Sequence, residues 1–198
     1  MREAMNRDER HQHILHTAKK LFEGRGYDHV TIADVIAASN VARGTFYLHF
    51  SSLEDLLTEL FEQFVEETWR RIAPILADLS TSVQVCTVEV MRAVFRMFDD
   101  DPSMISVFYS GGGQEFVHRK QAALYDKLGG LLEEAIQKRH EEQIPRLEWT
   151  VPMLISLVAD MSYYAATKVH ELERHAFEEH LIQFAMAGLE RHLQGEQV

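Results

Sequence analysis

The stretch Asn40–Phe50, NVARGTFYLHF, places four groups able to bind a polyanion on one short segment: Arg43, Thr45, Tyr47 and His49, with the small Gly44 among them. A guanidinium supplies charge and a forked donor, while hydroxyls and an imidazole supply hydrogen bonds to anionic oxygens. The chain around this segment is acidic, with a net charge of -11 over 198 residues. The acid is unevenly spread. Residues 1–50 hold seven Lys/Arg and six Asp/Glu, a net of +1, whereas residues 51–198 hold thirteen and twenty-five, a net of -12. Five of the eleven histidines also fall in the first fifty residues. Contact with a polyanion is therefore expected in the first part of the chain alone.

The segment needs elements to hold it, and the surrounding pattern supplies helices. Ile14, Leu15, Ala18, Leu21 and Phe22 recur at helical spacing, and Gly24 and Gly26 follow as stop signals, which predicts a first helix over about 7–24. Thr31 can cap a second, short helix, with Asp34 in capping-box position and Ile32, Val35 and Ile36 on its inner face. That helix ends near Ser39, where Asn40 tolerates a left-handed turn. A third helix across Ala42–Phe50 completes a helix-turn-helix, with Phe46 and Phe50 turned inward. Ser51 or Ser52 caps a long fourth helix that Pro74 kinks or ends. A fifth, from Ser80–Val83, is apolar nearly all round and carries the lone Cys86 as a buried thiol. A sixth spans Ser103–Ser110, a seventh about 114–140, an eighth about 150–172 and a ninth about 176–193. Gly111–Gly113 separate the sixth and seventh as a flexible break, either a plain loop or a ligand gate. The expected fold class is all-α: a three-helix domain at 1–50 that carries the helix-turn-helix and a larger helical domain at 51–198, about nine helices in total.

With Thr31, Val35, Val41, Gly44, Thr45, Phe46, Tyr47, His49 and Phe50 at these places, followed by a helix beginning SSLEDLL, the chain resembles the TetR family of transcriptional regulators. The resemblance implies a dimeric regulator, usually a repressor, bound to a palindromic operator in double-stranded DNA and released by a small effector. It also implies that Thr45, Tyr47 and His49 hold phosphates, that Thr31 does so through its hydroxyl and backbone N–H, and that Gly44 lets the backbone approach the DNA. Arg43 is the candidate for base readout, because a guanidinium pairs in forked fashion with guanine. The sequence departs from the family pattern at four positions. Ile36 stands where a small alanine is usual, Asn40 replaces a turn glycine, Ala42 cannot cap the recognition helix, and Leu53 replaces a phosphate-gripping lysine. Loss of the cap weakens that helix end by roughly 0.5 to 2 kcal/mol. Loss of the lysine predicts a gentler salt dependence of DNA binding.

The same resemblance places a second copy of the chain against the last two helices. The candidates are Leu154 and Val158 on one, and Phe177, Leu181, Phe184, Ala185 and Gly188 on the other. An effector cavity in the large domain has as candidate lining Trp69, Phe95, Phe98, Met104, Phe108, Tyr125, Met153, Asp160, Met161 and Tyr164. The apolar members suit an apolar or amphipathic molecule. Asp160, on an otherwise apolar helix, needs a partner or a cationic ligand.

Enzyme signatures are missing. HELER, His170–Arg174, has Arg174 where a zinc peptidase needs its second histidine, and no phosphate-binding G-x-x-x-x-G-K-[ST] run occurs. His11, His13 and His16 read as solvated residues of a polar helix, not metal ligands. No cofactor is expected. No apolar run of about 18 residues or more could span a bilayer, and the start lacks a secretory signal, so the expected location is the cytoplasm. The rival readings are a helical interaction module that has lost DNA binding, and a ligand-independent regulator or an activator.

Overall fold

The computed structural model describes residues 5–101, 107, 109, 111–140 and 142–193. In chain order these form α1 (Arg7–Arg25), a 3-10 turn (Tyr27–His29), α2 (Ile32–Ser39), α3 (Arg43–Tyr47), α4 (Leu53–Ala77), α5 (Val83–Asp100), α6 (Gln114–Gln121), a π-helical stretch (Ala122–Gly129), α7 (Gly130–Gln137), α8 (Leu147–Lys168), a second 3-10 turn (Glu171–Glu173) and α9 (Arg174–Leu193). No strand occurs among the described residues, in agreement with an all-α fold. They divide into two compact units, one within Met1–Phe64 and Ser103–Lys120, the other within Val65–Pro102 and Gln121–Val198.

The first unit is built on local signals that act where the sequence places them. Asn6 caps α1 and Thr31 caps α2, each in a full capping box with the residue three places on. Asn40 closes α2 in the left-handed conformation, φ 52° and ψ 43°. Ser52 Oγ accepts from the Asp55 N–H at the start of α4, while the Asp55 carboxylate accepts from both the N–H and the hydroxyl of Ser51. Ile14, Leu15, Ala18 and Phe22 of α1 are buried, as are Val35 of α2 and Leu56, Leu57, Leu60 and Phe61 of α4. Ile36, at the position the resemblance gives to alanine, is half-buried.

Gly112 and Gly113 belong to this unit and are packed, not open. A Cβ on Gly112 would stand 2.8 Å from Phe116 Cγ and 2.9 Å from Leu57 Cδ2, and one on Gly113 would stand 2.7 Å from Glu54 Oε1. The bare backbone therefore lies directly against the first turn of α4. There the Glu54 carboxylate accepts from the Phe116 N–H at 2.9 Å, satisfying a first-turn donor of α6 from a different helix.

The second unit has its own core. Val83, Met91 and Phe95 of α5 pack with Val151 and Val158 of α8 and with Leu181, Ile182, Ala185, Met186 and Leu189 of α9. Arg139 closes the end of α4: its Nη2 donates to the carbonyls of Leu76 and Asp78 at 2.8 Å and of Ile75 at 3.2 Å. This cation does what a terminal glycine does elsewhere, satisfying the orphan carbonyls of a helix end. Cys86 is buried, and burial pushes its thiol above the ordinary range.

Several element expectations change. Helix α4 runs through Pro74 and ends only at Ala77. The seventh predicted helix is divided by the π-helical stretch. Helix α5, expected to be buried on most sides, buries Val83, Cys86, Met91, Ala93, Phe95, Met97 and Phe98 and exposes Val85, Glu89, Arg92 and Arg96. The third helix is five residues long and stops at Tyr47. The predicted sixth helix lies largely outside the described residues.

Replacing Gly112 with alanine forces a methyl into the fully buried Phe116 ring, and overpacking of this kind costs about 1–3 kcal/mol. A lower urea midpoint for Gly112→Ala is expected, and an unchanged midpoint would show that the close approach is not tight.

Candidate nucleic-acid interface

The segment that carries the candidate contacts has little helix of its own. Helix α3 has no side-chain cap at Ala42 and only one full turn, so hydrogen bonding cannot stabilise it unaided. Its position comes from below: Phe46 is fully buried and Phe50 nearly so, with their ring centroids 6.1 Å apart. On the outside stand Arg43 and Gly44, both exposed, with Tyr47 46% exposed and Leu48 75% exposed. Thr45 and His49 are half-buried at the edges. The Arg43 guanidinium lies 5.8 Å from the centre of the Tyr47 ring, which braces the arginine without engaging its donors. A Cβ on Gly44 would meet nothing within 4 Å. A flat approach is thus open beside Arg43, Tyr47 and Leu48.

Thr31 is placed differently from its assigned role. Its backbone N–H and its hydroxyl both donate to the Asp34 carboxylate, and its hydroxyl oxygen accepts from the Asp34 N–H. The two groups expected to hold phosphate are engaged by the cap, because an N-terminal carboxylate competes for the same donors. Those hydrogen bonds, ahead of the nearby Arg25 guanidinium at 3.3 Å, hold the Asp34 carboxyl below the usual carboxylate range. Asp55 is lowered in the same way by the two Ser51 donors.

Of the three histidines expected to be solvated, His16 is exposed, while His11 and His13 are structural. His11 donates through Nε2 to Glu59 of α4 at 2.7 Å, and its ring stacks on Phe50 at 4.5 Å. His13 donates through Nε2 to the Ser39 carbonyl at 3.0 Å, satisfying the end of α2 just before the Asn40 turn. His49 lies 5.5 Å from His11. Burial, then His11, Arg7 and Arg10, hold the His49 imidazole below the ordinary histidine range. Sequence reading missed His11 and Glu59 because residues 48 positions apart on two helices give no local signal.

The other candidate residues fall in the second unit, and the structure separates them. Phe95 and Phe98 are buried, while Trp69, Tyr125 and Met161 are half-buried, with the Tyr125 hydroxyl 2.9 Å from Ser156 Oγ. Met153, Asp160 and Tyr164 are exposed, Met153 at 67%, and so do not line the interior of the chain. The helical period explains this: Val151, Val158, Ser162 and Ala165 are the buried stripe of α8, and the three fall on the opposite face. Met104 and Phe108 lie outside the described residues. Of the interface candidates, Val158, Leu181 and Ala185 are buried within their own chain, Leu154 and Phe177 are half-buried, and Phe184 and Gly188 are exposed, Phe184 at 68%. The outward face of α9 is one step round from the expected one and includes Ala187.

No group of three metal-ligating side chains comes together among the described residues, and none of their helices is long and apolar enough to cross a membrane.

A capped helix, a left-handed asparagine turn and a short helix with polar groups outward and phenylalanines inward form a helix-turn-helix. Residues 14–60 match the family of bacterial regulatory proteins of the tetR type. The chain is 29% identical over 157 residues to the HTH-type transcriptional regulator YvdT of Bacillus subtilis, covering 75% of this chain and 78% of that one. A second relative, the HTH-type regulator YfiR of the same organism, is 34% identical over 67 residues, and the matched stretch spans only 33% of its length and 34% of this chain. Among solved structures, the transcriptional regulator FadR of Bacillus subtilis, in complex with stearoyl-CoA, shares the fold with a TM-score of 0.73 at 17% identity, over 89% of this chain and 98% of that one.

A depressed carboxyl contributes stability above its unfolded value that is lost as pH falls through its folded one. Asp55→Asn is therefore expected to lower stability at neutral pH and to flatten the loss of stability below about pH 4. Acid unfolding followed by circular dichroism checks both parts, and an unchanged acid profile would contradict them.

Proposed function

We propose that this chain is a dimeric repressor that reads a palindromic operator with residues 1–50 and is released by a small apolar or amphipathic effector held in the part that follows, at 51–198. The observation that carries this reading is the recognition segment itself, with Arg43, Gly44 and Tyr47 outward on a helix held by Phe46 and Phe50. In it Arg43 reads a base edge, and Thr45, Tyr47 and His49 position the helix on phosphates. Thr31 contributes first as the cap that fixes α2. Such a protein acts in the cytoplasm, where the DNA is.

Dimerisation is supported by an apolar outer face on the last two helices. Trp149, Met153 and Tyr164 are exposed on α8, and Phe184, Ala187 and Gly188 on α9. Exposed aromatic and methionine side chains next to small residues suit close packing against a second copy. One recognition helix spans only a few base pairs, so two are needed to read a half-site pair.

The effector's chemistry is supported by Trp69, Phe95, Phe98, Tyr125 and Met161, a mixed aromatic and methionine set. With Asp160 on the outer face of α8, a cationic effector loses its support. Stearoyl-CoA is bound by the FadR of similar fold, which makes a long-chain acyl-CoA the first compound to test.

Binding selection from random duplex DNA tests the reading directly. Arg43→Ala is expected to cost about 1–3 kcal/mol on the selected site and to relax the preference at one base position, whereas Tyr47→Phe should weaken all duplexes alike. A preferred site unchanged by Arg43→Ala would remove the base-reading role. Phe184→Arg is expected to sediment as a monomer at micromolar concentration and to lose operator affinity, and a dimeric Phe184→Arg would move the interface elsewhere.

A further inference from the structure

The recognition segment is short of charge. From Asn40 to Leu53 only Arg43 carries a permanent charge, and base readout would engage it away from the backbone. His49, at the far end, is half-buried, and burial with nearby cations disfavours its charged form, while Leu53 opens α4 where a cation could have met a phosphate. Duplex affinity rests on neutralising phosphates, so the cations must come from another element of the same unit.

Helix α1 supplies them. His11 fastens its second turn to this end of the segment through the stack on Phe50, the 5.5 Å approach to His49 and the bond to Glu59. Arg7 is four residues before His11 and so on the same helix face, and Arg10 is three after Arg7. The positive charge of both reaches His49. Neither is in an ion pair with a described carboxylate; among the described residues the Arg10 guanidinium donates only to the Met5 carbonyl, at 3.2 Å. By contrast, Arg25 is paired with Asp34, and Arg119 with Glu62 and Glu115. Of the nearby acids, Glu9 is bound in the cap of α1, leaving Asp8 as the one opposing charge acting on His49.

We infer that Arg7 and Arg10 form a phosphate clamp on the DNA backbone flanking the His49 end of the recognition helix. The cation absent from the start of α4 is thereby supplied by α1, the two arginines acting as positioning residues that add affinity and leave sequence choice to the segment. This rests on the DNA-binding reading above.

The test uses the full-length protein and two duplexes, one of random sequence and one carrying the selected site, titrated by fluorescence anisotropy at several KCl concentrations. The double variant Arg7→Gln, Arg10→Gln is expected to bind both duplexes more weakly by similar factors. The slope of log K against log salt should become shallower by about 0.9 for each phosphate that is no longer neutralised, with the selected sequence unchanged. The double lysine variant should keep most of the slope, and Arg70→Gln, a cation of the second unit paired with Glu67, should keep all of it. Unfolding midpoints equal to wild type separate this from a structural defect. If wild type binds DNA and the glutamine variant has the same slope, the clamp is wrong while the regulator reading stands. A changed base preference would likewise overturn it, in favour of base contact. Failure of the wild-type protein to bind any duplex would overturn the DNA-binding reading and the clamp with it.

Discussion

A five-residue helix without a capping side chain cannot stand by itself, and the surface proposed to read DNA is built on one. Nucleating a helix costs more than one turn of hydrogen bonds returns, so α3 exists because Phe46 and Phe50 are buried beneath it. Their burial fixes where every outward group points. Arg43 and Tyr47 face out because Phe46 and Phe50 face in, and Gly44 leaves the approach beside them clear. The stacked His11 ring extends the same support to the end of the segment. The chemistry of recognition thus depends on an apolar contact that touches no DNA.

Around that contact, the first unit commits its polar side chains to helix ends. Thr31 with Asp34, Ser51 with Asp55, His13 with the Ser39 carbonyl and Glu54 with the Phe116 N–H each satisfy backbone groups that a short helix leaves open. Short helices have a high proportion of such groups. The consequence for binding is a shortage of free donors near the recognition segment: Thr31 is engaged, the charged form of His49 is disfavoured, and Leu53 offers nothing polar. Arginines on α1 acquire weight from this scarcity, since affinity for a duplex rises with the number of phosphates neutralised.

The second unit is governed by the helical period. Helices α8 and α9 each bury one stripe in their own core and present the other. A residue two places from a buried one on such a helix faces outward, which moves Met153, Asp160 and Tyr164 from cavity lining to surface and leaves Phe184 and Gly188 facing away from the core.

Much of the first unit was legible in the sequence because its signals are local. Caps at Thr31 and Ser52, the left-handed Asn40, the uncapped Ala42 and the inward Phe46 and Phe50 each follow from residue type and spacing within a few positions. The all-α class and the positions of most helices follow from apolar periodicity. Tertiary structure alone decided what depends on pairs far apart in the chain: His11 on Glu59, Glu54 on Phe116, Arg139 on the end of α4. It also decided which face of α8 and α9 is inside, because both helices are apolar over more than one stripe and periodicity does not rank two apolar faces. The difference is one of range: caps and turns are settled by neighbours along the chain, while burial is settled by whichever helix arrives from elsewhere to cover a face.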